Sequence, residues 1–305
     1  MRADLHVHSS ASDGTDPPAE VMRRAARAGL DVVALTDHDT VAGHPEARAA
    51  AGPVTLLPGM ELSCRLDNRS RGGPGEMKGS SPRGWQSTHL LAYLFEPDQP
   101  ELAAELARIR DDRVLRARAM VDKLADLGVD ISWDQVAAIA GQAVVGRPHI
   151  ARAMAASGAI ASPRDAFTRD WIADGGRAYA DRYALDPARA IGLVGAAGGV
   201  AVLAHPRAGR DTWVTDVQIA RLAAAGLAGL EVFHPDQSDA ERARLLALAH
   251  DLDLAATGGS DDHGSLTGYR LGCEITPAEA YRDLLSRTPG GPAAVPTTGP
   301  PRGQS

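Results

Sequence analysis

The sequence predicts an α/β fold, a closed or nearly closed barrel of seven β/α units with a helical insertion between its fourth and fifth strands. Three observations predict it. Strand-length apolar runs alternate with helical stretches, which is the pattern of β/α units. The alternation breaks once, between about Pro100 and Gly198, into a mostly helical segment. Nearly every strand-length run ends in a histidine or carboxylate, at the end where such folds collect their chemistry.

The strands are expected near Ala3–His8, Val32–Thr36, Val54–Leu62, Thr88–Phe95, Gly199–Ala204, Gly229–His234 and Leu254–Gly258. Their alternation with helices implies parallel units, and seven in that order favour a barrel over an open sheet. Pro17–Ala28 suits the first helix, with Asp16 as cap, Pro17 in the first turn and Gly29 as the stop. The break holds helices near Glu101–Leu127, Trp133–Ile139, Arg147–Ala156 and Pro163–Trp171. The barrel then takes residues 1–99 and 199–287, and the insertion 100–198. Arg65–Gln86 is rich in Gly, Ser, Pro and Arg and reads as an exposed loop. Thr288–Ser305 is Pro, Gly and Thr with almost no charge and reads as a disordered tail.

Composition narrows the function. An apolar fraction of 44% over 305 residues allows a sizeable core. No run of 18 apolar residues exists, so no membrane span is expected. The N-terminus lacks a signal-peptide layout, and Cys64 and Cys273 are too few for a disulfide framework. Both point to a reducing cytoplasm. A net charge of −7 argues against a long nucleic-acid footprint, but not against a nucleotide or short oligonucleotide at a local metal cluster. Oligomeric state is not legible.

The strand ends carry the chemistry. His6 and His8 stand two apart, so in a strand both rings project to one face. Asp13 follows in the next loop. The second strand ends in Asp37-His38-Asp39, and the third carries Glu61. His89 lies at the start of the fourth, an exception to the pattern. The fifth gives His205, the sixth His234, and the seventh Asp261 and His263. Seven of the ten histidines fall at these places. Imidazole mixed with carboxylate, without thiolate, suits Mn, Fe or Zn in a hydrolytic site. So many ligands exceed one ion. Glu61 is the natural bridge between two or three, a cluster that activates water and clamps phosphoryl oxygens.

Asp-Leu-His-Val-His, Ser-Asp-Gly, Thr-Asp-His-Asp-Thr, Pro-Gly-Met-Glu-Leu-Ser, Ala-His-Pro and Gly-Ser-Asp-Asp-His occur in this order. Taken together they resemble the polymerase-and-histidinol-phosphatase (PHP) family of metal-dependent phosphoesterases, over roughly residues 1–285. The resemblance implies a distorted, TIM-like (β/α)7 barrel with a trinuclear metal centre. It carries ligand roles to His6, His8, Asp13, His38, Glu61, His89, His205, Asp261 and His263, with Asp13 and His205 essential to catalysis. Within the family the chain most resembles 3′,5′-nucleoside bisphosphate phosphatases, some of which trim short RNA from the 5′ end. That implies removal of the 3′-phosphate of a small doubly phosphorylated nucleotide. It also places Arg113, Arg116, Arg147, His149 and Arg177 near substrate.

The bare residues support parts of this. Arg113 and Arg116 are i and i+3, so one helix face can present both guanidiniums to a phosphate. Arg147 precedes a helix whose free amides attract anions. His234 is a candidate substrate contact or proton donor. Asp37 is the expected partner of a metal-facing ring. His44, His250, Arg108, Arg110 and Arg118 read as surface residues, and the tryptophans as core or loop anchors. The loop 65–86 carries five basic and two acidic residues, a rim that attracts phosphate. Rival readings are a histidinol phosphatase, a cyclic-phosphate diesterase, or a non-catalytic PHP scaffold module.

Overall fold

A computed structural model describes residues 1–67, 84–208 and 213–288. Seven strands form one sheet in sequence order: β1 (Ala3–Val7), β2 (Val32–Leu35), β3 (Thr55–Asp67), β4 (Trp85–Tyr93), β5 (Val200–Leu203), β6 (Gly229–Phe233) and β7 (Ala255–Gly258). Closure onto β1 comes from two bonds past the strand ends. His8 N donates to Asp262 O at 2.9 Å, and Asp261 N donates to His6 O at 2.8 Å. Gly259 permits this approach, because a Cβ there would lie 2.6 Å from His6 N. The result is a nearly closed, distorted barrel.

One strand direction differs from expectation. β4 pairs antiparallel with both β3 and β5, while the remaining neighbours are parallel. β3 and β4 pair antiparallel from Gly59 opposite Tyr93 out to Asp67 opposite Trp85, a two-stranded arm. The start of β4 therefore lies at the same barrel end as the finish of the parallel strands. His89, the apparent exception, obeys the pattern.

The two-residue period divides the strands between an inner and an outer face. Ala3, Leu5, Val32, Ala34, Leu57, Leu91, Tyr93, Val200 and Val202 fill one buried cluster, joined by Tyr281, Leu284 and Leu285 of α9 (Ala278–Ser286). The Tyr93 hydroxyl donates to Leu5 O at 2.7 Å, which satisfies its one polar atom in this core. Alternate residues such as Val33, Leu35 and Leu56 pack outward with Val21, Met22 and Ala25 of α1 (Pro18–Arg27) and Ala47 of α2 (His44–Ala49). Helices α7 (Asp216–Ala224) and α8 (Asp239–Asp251) flank β6 in sequence. No helix among the described residues is long and apolar enough to cross a membrane.

The helical insertion contains α3 (Pro100–Asp126), α4 (Trp133–Ala140) and α5 (Arg147–Ala156). The first half of α3 joins the barrel core through Leu102, Leu106 and Ile109. Its second half joins a separate core through Ala117, Met120, Val121 and Leu124, with Val136, Ile150, Met154 and Ile172. The helix thus contributes to both cores and links the insertion to the barrel. Of the helix expected at Pro163–Trp171, only a 3-10 turn at Pro163–Ala166 forms. A further helix, α6 (Pro187–Ala196), packs on β3, β4 and β5. Gly192 and Gly195 weaken its helical signal in the sequence.

Two further expectations change. Pro17 occupies the N-cap position of α1 and no side chain caps the helix; Asp16 accepts instead from Arg24 at 2.7 Å. The ends of the expected loop 65–86 are strand, paired out to Asp67 opposite Trp85. Its middle, 68–83, and the tail from 289 lie outside the described residues.

Candidate metal centre

All nine expected ligands converge at one end of the barrel. β1 brings His6 and His8, whose Nε2 atoms lie 3.1 Å apart. Asp37 holds the following loop, accepting from Ser9 N at 2.8 Å and from the hydroxyls of Ser9 and Ser12, each at 2.6 Å. That fixes Asp13 beside His8, His38 and His263 at 3.7, 3.6 and 3.2 Å. Glu61 stands at the middle. Its carboxylate lies 3.4, 3.2, 3.0, 2.8 and 3.0 Å from nitrogens of His6, His8, His38, His89 and His205. Asp261 approaches His6 and His8 at 3.4 and 3.3 Å.

Four overlapping groups have ligand atoms close enough to share an ion: His8, Asp13, His38 and His263; His6, His8 and Asp261; His6, Glu61 and His205; His38, Glu61 and His89. Between them they use the nine expected residues and, among the described residues, no other. Glu61 belongs to two of the groups, as do His6, His8 and His38, and it is the carboxylate among these four. The nitrogens also fit cations. Nδ1 of His38 and Nδ1 of His89 are buried and lie near Glu61, yet neither finds a hydrogen bond. Buried nitrogens aimed at a carboxylate without a bond to it are what a cation between them would satisfy.

The electrostatics point the same way. Burial favours neutral His8, but Asp261 and Glu61 overcome it and push its pKa up to about 10. Burial wins at His38 and pushes it down to about 3. Asp13, Glu61 and Asp261 are held well below the usual carboxylate range, despite burial, by the histidines around them. The carboxylates demand positive charge, from protons or from metal ions. Three residues here, Asp39, His205 and Asp261, have φ of 55°, 26° and 49°, a region L-residues rarely adopt. Such strain collects at functional sites.

The other expected residues fall into three classes. His234 is buried beside the centre. Its Nδ1 accepts from Asp236 N at 3.1 Å, so Nε2 carries the proton and faces Asp261 at 3.3 Å. Arg113 and Arg116 share a face as expected but are partly committed. Arg113 donates to Asp39 Oδ2 at 2.6 and 2.8 Å and to Ser63 Oγ at 2.7 Å. Arg116 donates to Ala180 O at 2.9 Å and covers the Tyr179 ring. Arg147 pairs with Asp174 at 3.2 Å. His149 is buried, and its Nδ1 accepts from Gly146 N at 3.0 Å. Burial, with Arg152 beside it, pushes its pKa down to about 4. Arg177 is exposed, and among the described residues no side-chain contact ties it to the site.

Some residues behave differently from expectation. Asp37 holds serines and not a histidine ring. His44 is half-buried instead of free at the surface, and its Nε2 reaches Leu35 O and Gly59 O at 3.2 and 2.9 Å. Arg110 donates to Asp39 O at 3.2 Å instead of facing only water. Several neighbours had no motif to reveal them. Glu231 contacts His6, Arg270 donates to Asp261 at 3.2 Å, Arg152 donates to Asp13 O at 2.8 Å, and Arg182 donates to Ser87 Oγ at 2.7 Å. Only the alternation inside β6 hinted that Glu231 faces inward, as a charge in an apolar strand.

Known proteins resemble this chain over nearly its whole length. The family model for the PHP domain matches residues 4–122. A 5′-3′ exoribonuclease of Haemophilus influenzae is 33% identical over 273 residues, covering 88% of this chain and 92% of that one. A 3′,5′-nucleoside bisphosphate phosphatase of Chromobacterium violaceum is 32% identical over 271 residues, covering 88% and 89%. A solved structure from Bifidobacterium adolescentis, of a protein assigned as a metal-dependent phosphoesterase, superposes with a TM-score of 0.82 at 33% identity, covering 94% and 96%.

Proposed function

The chain belongs to the PHP family and is a metal-dependent phosphoesterase, and from that premise we propose that it removes the 3′-phosphate from a small 3′,5′-bisphosphonucleoside. The observation that carries the substrate is a cluster of guanidiniums beside the nine-donor centre. Arg116, Arg147 and Arg182 gather around Tyr179, with Arg113 beside Arg116 and Arg182 and with Asp39 and Asp174 as the paired carboxylates. Burial, then Arg147 and Arg182, depress the Arg116 pKa to about 9. So crowded a group of cations favours an anion. It lies next to the metal ligands, since Arg113 reaches the neighbours of His38 and His89 through Asp39 and Ser63, and Arg182 reaches Ser87.

His6, His8, Asp13, His38, Glu61, His89, His205, Asp261 and His263 would hold two or three divalent ions, with Mn, Fe or Zn matching the donors. When bound, these ions polarise the phosphoryl oxygens and activate water. The chain does the rest. Its arginines grip the second phosphate and so position the first. His234, through Nε2–H, is placed to supply a proton to the departing oxygen. Arg24, Asp16 and Asp262 lock the loop after β7 to α1, keeping Asp261 and His263 in register with β1. The two free thiols, one of them buried, fit a reducing cytoplasm.

The test is turnover with added Mn of adenosine 3′,5′-bisphosphate against histidinol phosphate, a cyclic phosphate and a short 5′-phosphorylated RNA. Preferential release of phosphate and adenosine 5′-monophosphate is expected. Brisk turnover of another compound with none of the bisphosphate overturns the substrate and leaves the chemistry standing.

A further inference from the structure

Glu231 is a buried carboxylate at the centre that belongs to none of the four candidate ion groups. It projects from β6 and uses both oxygens. Oε1 lies 3.0 Å from His6 Nδ1, and Oε2 accepts from His205 N at 2.7 Å. His6 and His205 stand together in one candidate ion group with Glu61, their rings stacked with centroids 5.6 Å apart. Gln237 extends the same support. It donates to Glu231 O at 3.2 Å and accepts from Arg207 N at 3.1 Å. The turn after β5 is thus gripped at two backbone amides, two residues apart.

We propose that Glu231 is a positioning residue that presets two metal-facing histidines at once, the His6 ring by its tautomer and the His205 ring by its backbone. The inference rests on the reading of the nine-donor cluster as a metal centre. A carboxylate only accepts, so His6 Nδ1 must carry the hydrogen. In the neutral ring that a cation would bind, Nε2 then presents its lone pair toward His8, Glu61 and Asp261, at 3.1 to 3.4 Å. At His205 the amide bond holds a non-glycine residue at φ 26°, a conformation that needs an external partner to persist. One side chain therefore spans β1 and the β5 turn from β6, and the two rings keep their relative placement before any ion arrives.

Glu231→Gln tests this because the amide keeps the shape and loses the symmetry. If its oxygen serves His205 N, its NH2 faces His6 Nδ1 and forces the hydrogen onto Nε2. If it flips, its NH2 faces the His205 amide and the turn loses its acceptor. Either way one of the two histidines is lost as a ligand. In the zinc-loaded wild type, nitrogen-15 NMR should show His6 carrying its single proton at Nδ1. The variant should bind Mn more weakly by about 10- to 100-fold and retain less metal after dialysis. Wild-type affinity in Glu231→Gln, or an Nε2–H tautomer of His6 in the wild type, overturns the proposal. If the variant fails to fold, the wild-type tautomer decides. A wild type that takes up no Mn, Fe or Zn overturns the metal centre and this inference together. A wild type that loads while the variant loads equally overturns Glu231 alone.

Discussion

His89 Nδ1 lies 2.8 Å from Glu61 Oε1, across an antiparallel ladder in which His89 sits opposite Ser63. The two strands that carry them run past the barrel mouth, β3 to Asp67 and β4 from Trp85. Glu61 and His89 are thus mid-strand in sequence yet level with ligands that follow the short parallel strands. Rigid ladder bonds on both sides hold the pair, which is the support a bridging carboxylate requires.

Glu61→Gln should therefore disable two candidate ion groups at once. The amide keeps the volume but removes the charge that five histidine nitrogens face. Activity should fall by more than the roughly 10- to 100-fold that loss of an outer supporting residue causes. Elemental analysis should find less metal per chain than in wild type. Full metal content with full activity would remove Glu61 from the bridge.

Arg116→Ala and Arg182→Ala probe the guanidinium cluster. A hydrogen bond to a charged group contributes about 1.5–3 kcal/mol, which corresponds to roughly 10- to 100-fold in affinity. KM for adenosine 3′,5′-bisphosphate should rise by that factor, while kcat/KM for a substrate with a single phosphate stays near wild type. Equal losses on both substrates would show that these arginines support the fold and do not read the second phosphate.

The ligands were legible because each strand end is a short local pattern. His-x-His, Asp-His-Asp and Ser-Asp-Asp-His each announce themselves within five residues, and the barrel order brings them together. The supports were not legible, because their meaning is carried by distance in space. Glu231 is one acid in an apolar strand, and Arg182 one base in a loop; neither has a neighbour in sequence that reveals its partner. Strand direction was hidden as well. Apolar runs look alike whether parallel or antiparallel, so the reversal of β4 emerged only from its pairing with β3 and β5. The arginines of α3 fell between these cases. Their shared face was readable from spacing, while the commitment of Arg113 to Asp39 and Ser63 was not.

His234→Asn separates proton delivery from metal binding. His234 lies outside all four ion groups, and its Nε2–H faces Asp261. Removing a general acid costs typically about 100- to 10,000-fold. A kcat loss in that range is expected, with metal content per chain unchanged. Loss of metal from the variant would instead make His234 a support for Asp261, acting through the contact at 3.3 Å.

The protonation of the centre gives a dependence on pH that differs between the metal-free and loaded chain. His8 has its folded pKa raised from 6.5 to about 10 by Asp261 and Glu61 against burial. For a raised base the stabilisation is fully present below 6.5 and is lost as pH climbs toward 10. His6, His205 and His263 shift in the same direction and add to the alkaline loss. The carboxylates of Asp13, Glu61 and Asp261 are depressed, so their contribution is present above the usual carboxylate range and fades as pH falls through it. His38, pushed down to about 3, adds to the acid loss below 6.5, because the unfolded chain takes up a proton that the folded one refuses. Metal ions bound at the centre replace the protons on the raised histidines, so the loaded chain escapes the alkaline loss. The increase in melting temperature on adding Mn should accordingly grow from pH 6 to 9. Each released proton contributes about 1.4 kcal/mol per pH unit. Parallel melting curves with and without Mn measure it, and an increment that stays flat or shrinks with rising pH would show that protons and metal ions do not compete for these histidines.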